Sequence, residues 1–136
     1  MSRKLSFAMR GTEVVQTTER FDDDGVRTEK SVSVLGERDV VLDQITRQTA
    51  EAKAMVDGVT VAGAEQPVAD KGKPGTEKTW FLDGKTLFEV ETRRRADGLV
   101  ASVRSRALGP KVLVLANAVE RHAELEEMRS GIEQAK

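Results

Sequence analysis

The chain has 136 residues, of which 38% are hydrophobic and 33% charged, and its 22 basic and 23 acidic residues leave a net charge of −1. This length fits one ordinary domain, or two very small ones that share a core. The balanced charge excludes a basic tail, so any site for a polyanion must be a local patch. Cysteine is absent, which excludes disulfides, thiolate metal sites and cysteine nucleophiles.

The first residues, MSRKLSFAMRG, lack the apolar region of a secretion signal. No later run approaches the roughly 18 apolar residues that a membrane-spanning helix needs. With the absence of cysteine, which fits a reducing compartment, this leads us to expect a cytoplasmic protein without a membrane partner.

The sequence repeats itself at a constant shift, which we call the repeat offset. It aligns four glycines with four glycines and places Phe7 on Trp80. Glycine marks positions where the backbone turns, so four matches in one frame predict a tandem duplication. The glycine pairs are Gly11 with Gly84, Gly25 with Gly98, Gly36 with Gly109, and Gly58 with Gly131.

Each repeat reads as three strands and a helix. In the first, alternating residues reach Gly11, a strand follows over 12–23, and an Asp24-Gly25 turn leads to a strand over 26–35 and a helix over 39–57. In the second repeat we predict a strand that ends at Leu82, two further strands over 85–96 and 99–108, and a helix over 111–130. Gly58 and Gly131 suit the C-terminal caps of the helices.

We therefore predict an α+β fold: a tandem duplication of a βββα unit, each unit being a three-stranded antiparallel meander plus a helix. The repeats span 1–58 and 78–136, and a linker over 59–77 joins them. One such unit buries little apolar surface alone, so the two are expected to form a pseudo-twofold single domain over 1–136.

The predicted turns determine which charges face each other. A two-residue turn at Asp97-Gly98 sets Glu91 opposite Arg104 and Glu89 opposite Arg106, with Arg94 on the other, largely apolar face. A turn at Asp83-Gly84 sets Lys78 opposite Glu89 and Trp80 opposite Leu87; in the first repeat, Arg20 faces Glu29 and Asp22 faces Arg27. Opposite charges across antiparallel strands stabilise the sheet, so Arg104 and Arg106 fit a solvated charge ladder as well as a ligand site.

Three other features have structural interpretations. Trp80, the only tryptophan, fits a plug under a helix as well as a stacking platform for a ligand. His122 has no partner for metal binding or acid–base chemistry in the sequence, so it fits a core or interface histidine. The carboxylates of FDDDG (21–25) lack the spacing of a calcium loop and fit a hairpin tip. We expect no enzyme, no cofactor and no metal.

Two consecutive units of this size, each a strand meander followed by a helix, resemble the PUR-repeat and Whirly-type proteins. The resemblance lies in the order of the elements and covers most of the chain. In those families two ββββα units intertwine, and the sheet surface binds single-stranded DNA or RNA. The resemblance implies a nucleic-acid-binding sheet.

Three functions remain open. The first is a non-catalytic module that binds single-stranded nucleic acid through a basic hairpin, with Trp80 and Phe81 available for stacking. The second is an assembly module whose helices or sheet edges dock a protein partner or another copy of the chain. The third is a carrier that holds a small apolar ligand between sheet and helices. The arginines of the basic hairpin are Arg93, Arg94, Arg95, Arg104 and Arg106.

Overall fold

The computed structural model describes residues 2–64 and 71–136. These residues form two three-stranded antiparallel sheets, in the orders β1-β2-β3 and β4-β5-β6, and a helix follows each sheet. The α+β fold with the order βββα is confirmed. Residues 65–70 of the predicted linker lie outside the described residues. The elements are β1 (Ser2–Arg10), β2 (Glu13–Phe21), β3 (Arg27–Glu37), α1 (Arg38–Thr60), β4 (Gly75–Asp83), β5 (Thr86–Arg94), β6 (Val100–Pro110) and α2 (Lys111–Glu133).

Each element of the second sheet and its helix (β4, β5, β6 and α2) begins and ends one repeat offset after its counterpart in the first (β1, β2, β3 and α1). The third strand of each sheet continues two residues beyond its prediction, through a glycine with a left-handed backbone. These glycines are Gly36, with φ 119°, and Gly109, with φ 117°. At each of these glycines the register against the middle strand shifts, so the glycine is part of a β-bulge. The third strand then continues directly into its helix.

The Asp-Gly loops contain three residues, so the prediction of two-residue turns is wrong. In the second sheet, Gly98 N–H donates to the Arg95 carbonyl and Arg95 N–H donates to the Leu99 carbonyl, both over 2.9 Å. Gly98 has φ 84°, as expected for a type I turn followed by a glycine bulge. A register shift between Arg93 and Arg94 absorbs the extra residue.

This shift preserves the predicted pairing of the charged residues farther from the loop. Glu91 lies opposite Arg104, and Glu89 lies opposite Arg106. In the first sheet Arg20 lies opposite Glu29 as predicted, but Arg27 lies opposite Phe21, so its predicted pairing with Asp22 is wrong.

The other hairpin of each sheet turns one residue later than predicted. Asp83 pairs with Thr86, so the loop is Gly84-Lys85, with Gly84 at φ 63° in its first position. Trp80 therefore lies opposite Glu89, and Lys78 lies opposite Glu91. The predicted partners, Leu87 and Glu89 respectively, are wrong by two residues, which leaves each side chain on the predicted face.

The described chain divides into two compact units that do not coincide with the predicted repeats: Met1–Ala50 with His122–Lys136, and Glu51–Arg121. The first contains sheet β1-β2-β3, the start of α1 and the end of α2. The second contains sheet β4-β5-β6, the end of α1 and the start of α2. Each sheet is therefore completed by parts of both helices.

The core of each unit shows how the helix ends are used. In the first unit, Ile132 from the end of α2 is buried with Val14 and Ile45. In the second unit, Val59 from the end of α1 is buried with Leu87. Basic side chains bind the last carbonyls of the helices at equivalent places: Arg38 Nη2 donates to Glu133 over 2.8 Å and Lys111 Nζ donates to Thr60 over 3.1 Å.

Gly58 and Gly131 lie inside the helices, so the prediction that they cap the C-termini is wrong. The physical reason is close packing. A Cβ at Gly58 would overlap the ring of Trp80, and a Cβ at Gly131 would overlap the ring of Phe7. The missing side chain therefore lets an aromatic ring lie directly against the helix backbone in each unit.

Within the part of the chain that the structure describes, neither helix has an apolar stretch that could cross a membrane.

Candidate functional site

Six charged residues of the second sheet lie on one face, which we call the charged face: Lys78, Glu89, Glu91, Arg93, Arg104 and Arg106. Strand alternation places them together, because the register sets Lys78 and Arg104 on either side of Glu91 and sets Arg106 beside Glu89. They lie on the same face as buried Leu87, farther along the sheet. Five of them, with Ser105, line a polar cleft of about 350 Å³.

Glu89 is the centre of the charged face. Its side chain is only 9% exposed, and Oε1 lies 3.4 Å from Arg106 Nη2 and 3.9 Å from Lys78 Nζ. Its other oxygen, Oε2, accepts a hydrogen bond from Trp80 Nε1 over 3.3 Å. The cost of burying the carboxylate is offset by these donors, which also hold the two cations beside each other.

The charged face carries an excess of positive charge. Glu91 Oε1 lies 3.1 Å from Arg93 Nε, so both carboxylates are engaged by neighbours. Arg104 is exposed and has no carboxylate within 4.0 Å among the described residues, although it lies opposite Glu91. Four cations against two carboxylates leave a surplus of two charges, and the guanidinium of Arg104 is open to an external oxyanion.

The first sheet does not share this face. At the equivalent positions, one repeat offset earlier, only Arg20 matches the charge of its counterpart, Arg93. Gln16, which corresponds to Glu89, donates a hydrogen bond to Thr18 over 3.2 Å. The two sheets thus share a fold and differ in chemistry. The neutral counterparts of Lys78, Glu89, Glu91, Arg104 and Arg106 are Leu5, Gln16, Thr18, Ser31 and Ser33.

Two of the predicted arginines lie elsewhere. The side chain of Arg94 is 2% exposed; its Nη1 donates to the Gly98 carbonyl over 3.2 Å, and its Nε lies 3.9 Å from Glu77. Arg95 makes a two-pronged pair with Asp97, at 2.7 and 3.2 Å. The structure therefore brings Arg93, Arg104 and Arg106 together, and it does not bring Arg94 or Arg95 to them.

The Arg95–Asp97 pair has an electrostatic consequence at the hairpin tip. The pKa of Asp97 lies below its ordinary value, because the carboxylate accepts hydrogen bonds from Leu99 N–H and from Arg95. The same residue thus shapes the loop and engages the guanidinium of Arg95.

The two aromatic candidates serve packing. Trp80 is half-buried: it packs against the core cluster of Val59 and Leu87, and its Nε1 donates to Glu89 on the charged face. Phe81 lies on the opposite face of the sheet and stacks on Phe88, with ring centroids 5.3 Å apart. Neither aromatic residue lines the polar cleft of the charged face, which leaves the chemistry of this cleft to the charged side chains.

A second cleft, of about 640 Å³, lies beside Trp80 in the second unit. Small and apolar residues form most of its lining, as the small-ligand hypothesis would require. The lining residues are Gly58, Val61, Ala62, Gly63, Ala64, Lys78, Thr79 and Trp80.

The remaining candidates have local partners. His122 Nε2 lies 3.9 Å from Glu126 Oε1, one helical turn away. Asp22 Oδ1 accepts the N–H groups of Asp24 and Val26, which closes the hairpin tip. Over residues 2–64 and 71–136, no three histidine or acidic side chains are grouped as a metal site.

Sequence reasoning identified the cations of the charged face but missed the burial of Glu89 and its bond to Trp80. The available signal was the position of Glu89 two residues after Leu87, on the strand face that a helix covers. The inference of function depends on these residues themselves, because comparison with models of known protein families and with curated proteins finds no match for the chain.

Proposed function

We propose that this protein is a non-catalytic binding module that holds the phosphate backbone of single-stranded nucleic acid on its charged face. Lys78, Arg104 and Arg106 are the binding residues, and Arg93 adds positive charge at the end of the row. The observation that supports this most is Arg104, which is exposed and has no carboxylate within 4.0 Å in the described part of the chain.

The spacing of the cations suits a chain of phosphates. Arg104 and Arg106 are two residues apart on one strand, which separates their Cα atoms by about 7 Å along the sheet. Guanidinium groups bind phosphate oxygens through two parallel N–H bonds. A flexible single strand can place successive phosphates along such a row, whereas the phosphates of a stiff duplex follow a helical path away from it.

Binding of this kind is driven by phosphate contacts rather than by bases. Trp80 packs against the core and does not line the polar cleft, and Phe81 lies on the other face, so this cleft has no aromatic ring for stacking. We therefore expect weak sequence preference and a strong dependence on salt. Glu89 and Glu91 hold the cations in extended positions and compete with the incoming phosphates.

The experiment replaces the two arginines of β6 that line the cleft with the residues at the equivalent positions of β3. Arg104→Ser with Arg106→Ser reproduces Ser31 and Ser33 of the first sheet, so the strand keeps side chains that this fold already carries. Fluorescence anisotropy with a labelled single-stranded oligonucleotide at low ionic strength should show at least about a tenfold loss of affinity, corresponding to about 1.4 kcal/mol.

The control removes two arginines from the first sheet, Arg20→Ser with Arg27→Ser, and changes the net charge equally. It should leave the affinity within about twofold of the wild type. Equal losses in both double variants would contradict a defined site and would indicate attraction to the net charge alone. A duplex of the same sequence should bind more weakly than the single strand.

We further infer that the chain arose by duplication of a βββα unit and forms a single domain. The constant repeat offset between equivalent elements and the equivalent contacts of Gly58 and Gly131 support this inference. The repeated order of an antiparallel meander followed by a helix supports the proposed likeness to PUR-repeat and Whirly-type proteins, from which the three strands of each unit, rather than four, are a departure. On this view the binding chemistry belongs to the second copy of the unit.

A further inference from the structure

The third strand of the first sheet, β3, has one edge without a strand partner. It pairs with β2 on one side, and in residues 2–64 and 71–136 no strand pairs with its other side. Residues 31–35 carry no charge, and within them Val32 and Val34 are 53% and 50% exposed on the same face. Exposed β-branched side chains beside unpaired backbone groups are the features to which another strand adds.

The equivalent strand of the second sheet is protected against such pairing. Arg104 and Arg106 stand where β3 has serines, and Ser105 and Ala107 stand where β3 has Val32 and Val34. Charged side chains on an edge strand oppose the addition of a second strand. The two edges have the same backbone, so the difference in their residues singles out β3.

We propose that β3 pairs antiparallel with β3 of a second copy of this chain, about a twofold axis at Val32. Val32 is the midpoint of Arg27–Glu37, so this register uses the full strand. Each copy then offers the same surface, as a closed twofold dimer requires. The two Val32 side chains face each other at the centre.

The charges at the strand ends make this register self-complementary. It sets Arg27 opposite Glu37 of the partner subunit at both ends of the paired strands, which favours a second copy over an unrelated strand. Arg27 lies 3.3 Å from Glu19 through Nη1, its side chain is 53% exposed, and its guanidinium has five donors. The partner's carboxylate can therefore be bound without loss of the existing pair.

Sedimentation velocity of the full chain over a wide range of concentration tests this proposal. Pairing of one strand covers a small surface, so we expect a monomer–dimer equilibrium that shifts with concentration. Val32→Lys places two like charges at the twofold axis and should leave a monomer at all concentrations. Ser105→Lys makes the corresponding change on β6 and should leave the equilibrium unchanged.

A charge exchange tests the register and guards against a folding defect in the lysine variant. Arg27→Glu should weaken the dimer, and Arg27→Glu with Glu37→Arg should restore it, because the pair is re-formed with reversed signs. A wild-type protein that stays monomeric at every concentration would overturn the proposal. A dimer that Val32→Lys leaves intact would also overturn it.

Discussion

Trp80 donates a hydrogen bond from its indole Nε1 to Oε2 of Glu89, over 3.3 Å. The bond joins the core of the second unit to the charged face, since the rest of the Trp80 ring packs against core residues and the backbone at Gly58. Trp80 is the only tryptophan in the chain, so its fluorescence reports directly on the surroundings of Glu89.

Glu89→Gln should strengthen the binding of a single-stranded oligonucleotide. The change removes a carboxylate that competes with phosphate for Lys78 and Arg106, and it raises the surplus charge by one. The gain should be about fivefold, since one charge at about 4 Å in water is worth about 1 kcal/mol. Trp80 fluorescence during an oligonucleotide titration measures the affinity.

The first sheet provides the control for that change. Gln16 stands at the position equivalent to Glu89, so glutamine is compatible with the strand. Glu29→Gln, on the first sheet, alters the net charge equally and should have little effect on affinity. Weaker binding by Glu89→Gln would show that the carboxylate positions Lys78 and Arg106 more than it competes with phosphate, and it would contradict this prediction.

Gly58→Ala and Gly131→Ala should each destabilise the protein by about 1–3 kcal/mol, measured by denaturant unfolding. Helix propensity alone predicts the opposite, a gain of about 1 kcal/mol, because both residues lie inside helices. The clash with Trp80 or Phe7 should dominate. Gly63→Ala, where a Cβ would meet nothing within 4 Å, is the control and should change stability little.

These glycines show where sequence reasoning succeeded and where it could not. The repeat offset predicted the element order and placed Gly58 and Gly131 at equivalent positions, because local turn and helix signals recur in the sequence at that offset. Their packing against aromatic rings depends on contacts between distant segments, so a cap was the nearest local interpretation. The pairing of Glu89 with Arg106 was predictable because the register shift between Arg93 and Arg94 absorbs the extra residue of the loop.

The candidate site shows the same limit. Alternation along β5 correctly placed Arg94 on the face away from Glu91, yet three successive arginines led to its inclusion in the binding residues of the basic hairpin. Burial of Arg94 depends on how the chain near Gly72 and Gly98 closes over it, since a Cβ at Gly72 would lie 2.8 Å from Arg94 Nε. No periodicity in the sequence reports such a contact.

Arg94→Ala should lower the free energy of unfolding by about 3 kcal/mol and leave oligonucleotide affinity unchanged. The Arg94 side chain is buried, so its removal leaves a cavity and takes the donor away from the Gly98 carbonyl, whereas Glu77, which is 59% exposed, can be hydrated. Denaturant unfolding and anisotropy measure the two effects. Arg95→Ala, whose side chain is exposed, should cost about 0.5 kcal/mol or less. A loss of affinity with unchanged stability in Arg94→Ala would contradict this assignment.

Asp97→Asn should reduce stability near neutral pH, with a difference from the wild type that disappears in acid. The folded-state pKa of Asp97 is lowered, so its contribution is present above the ordinary aspartate pKa of about 3.9 and is lost as the pH falls through the lower folded value. Thermal unfolding from pH 7 to pH 2 follows the difference. Asp24→Asn, at the equivalent tip of the first sheet, is the control. A difference in stability between Asp97→Asn and the wild type that grows as the pH falls would contradict this prediction.

The salt dependence of oligonucleotide binding tests the central claim most directly, which is that the cations of the charged face bind phosphates. For single strands, the logarithm of the affinity should fall against the logarithm of the salt concentration with a slope of about −0.7 for each phosphate neutralised. Three or four cations predict a slope between about −2 and −3 for the wild type, reduced by about 1.4 in Arg104→Ser with Arg106→Ser. Absence of binding at low salt, or a slope that the double variant leaves unchanged, would contradict the account.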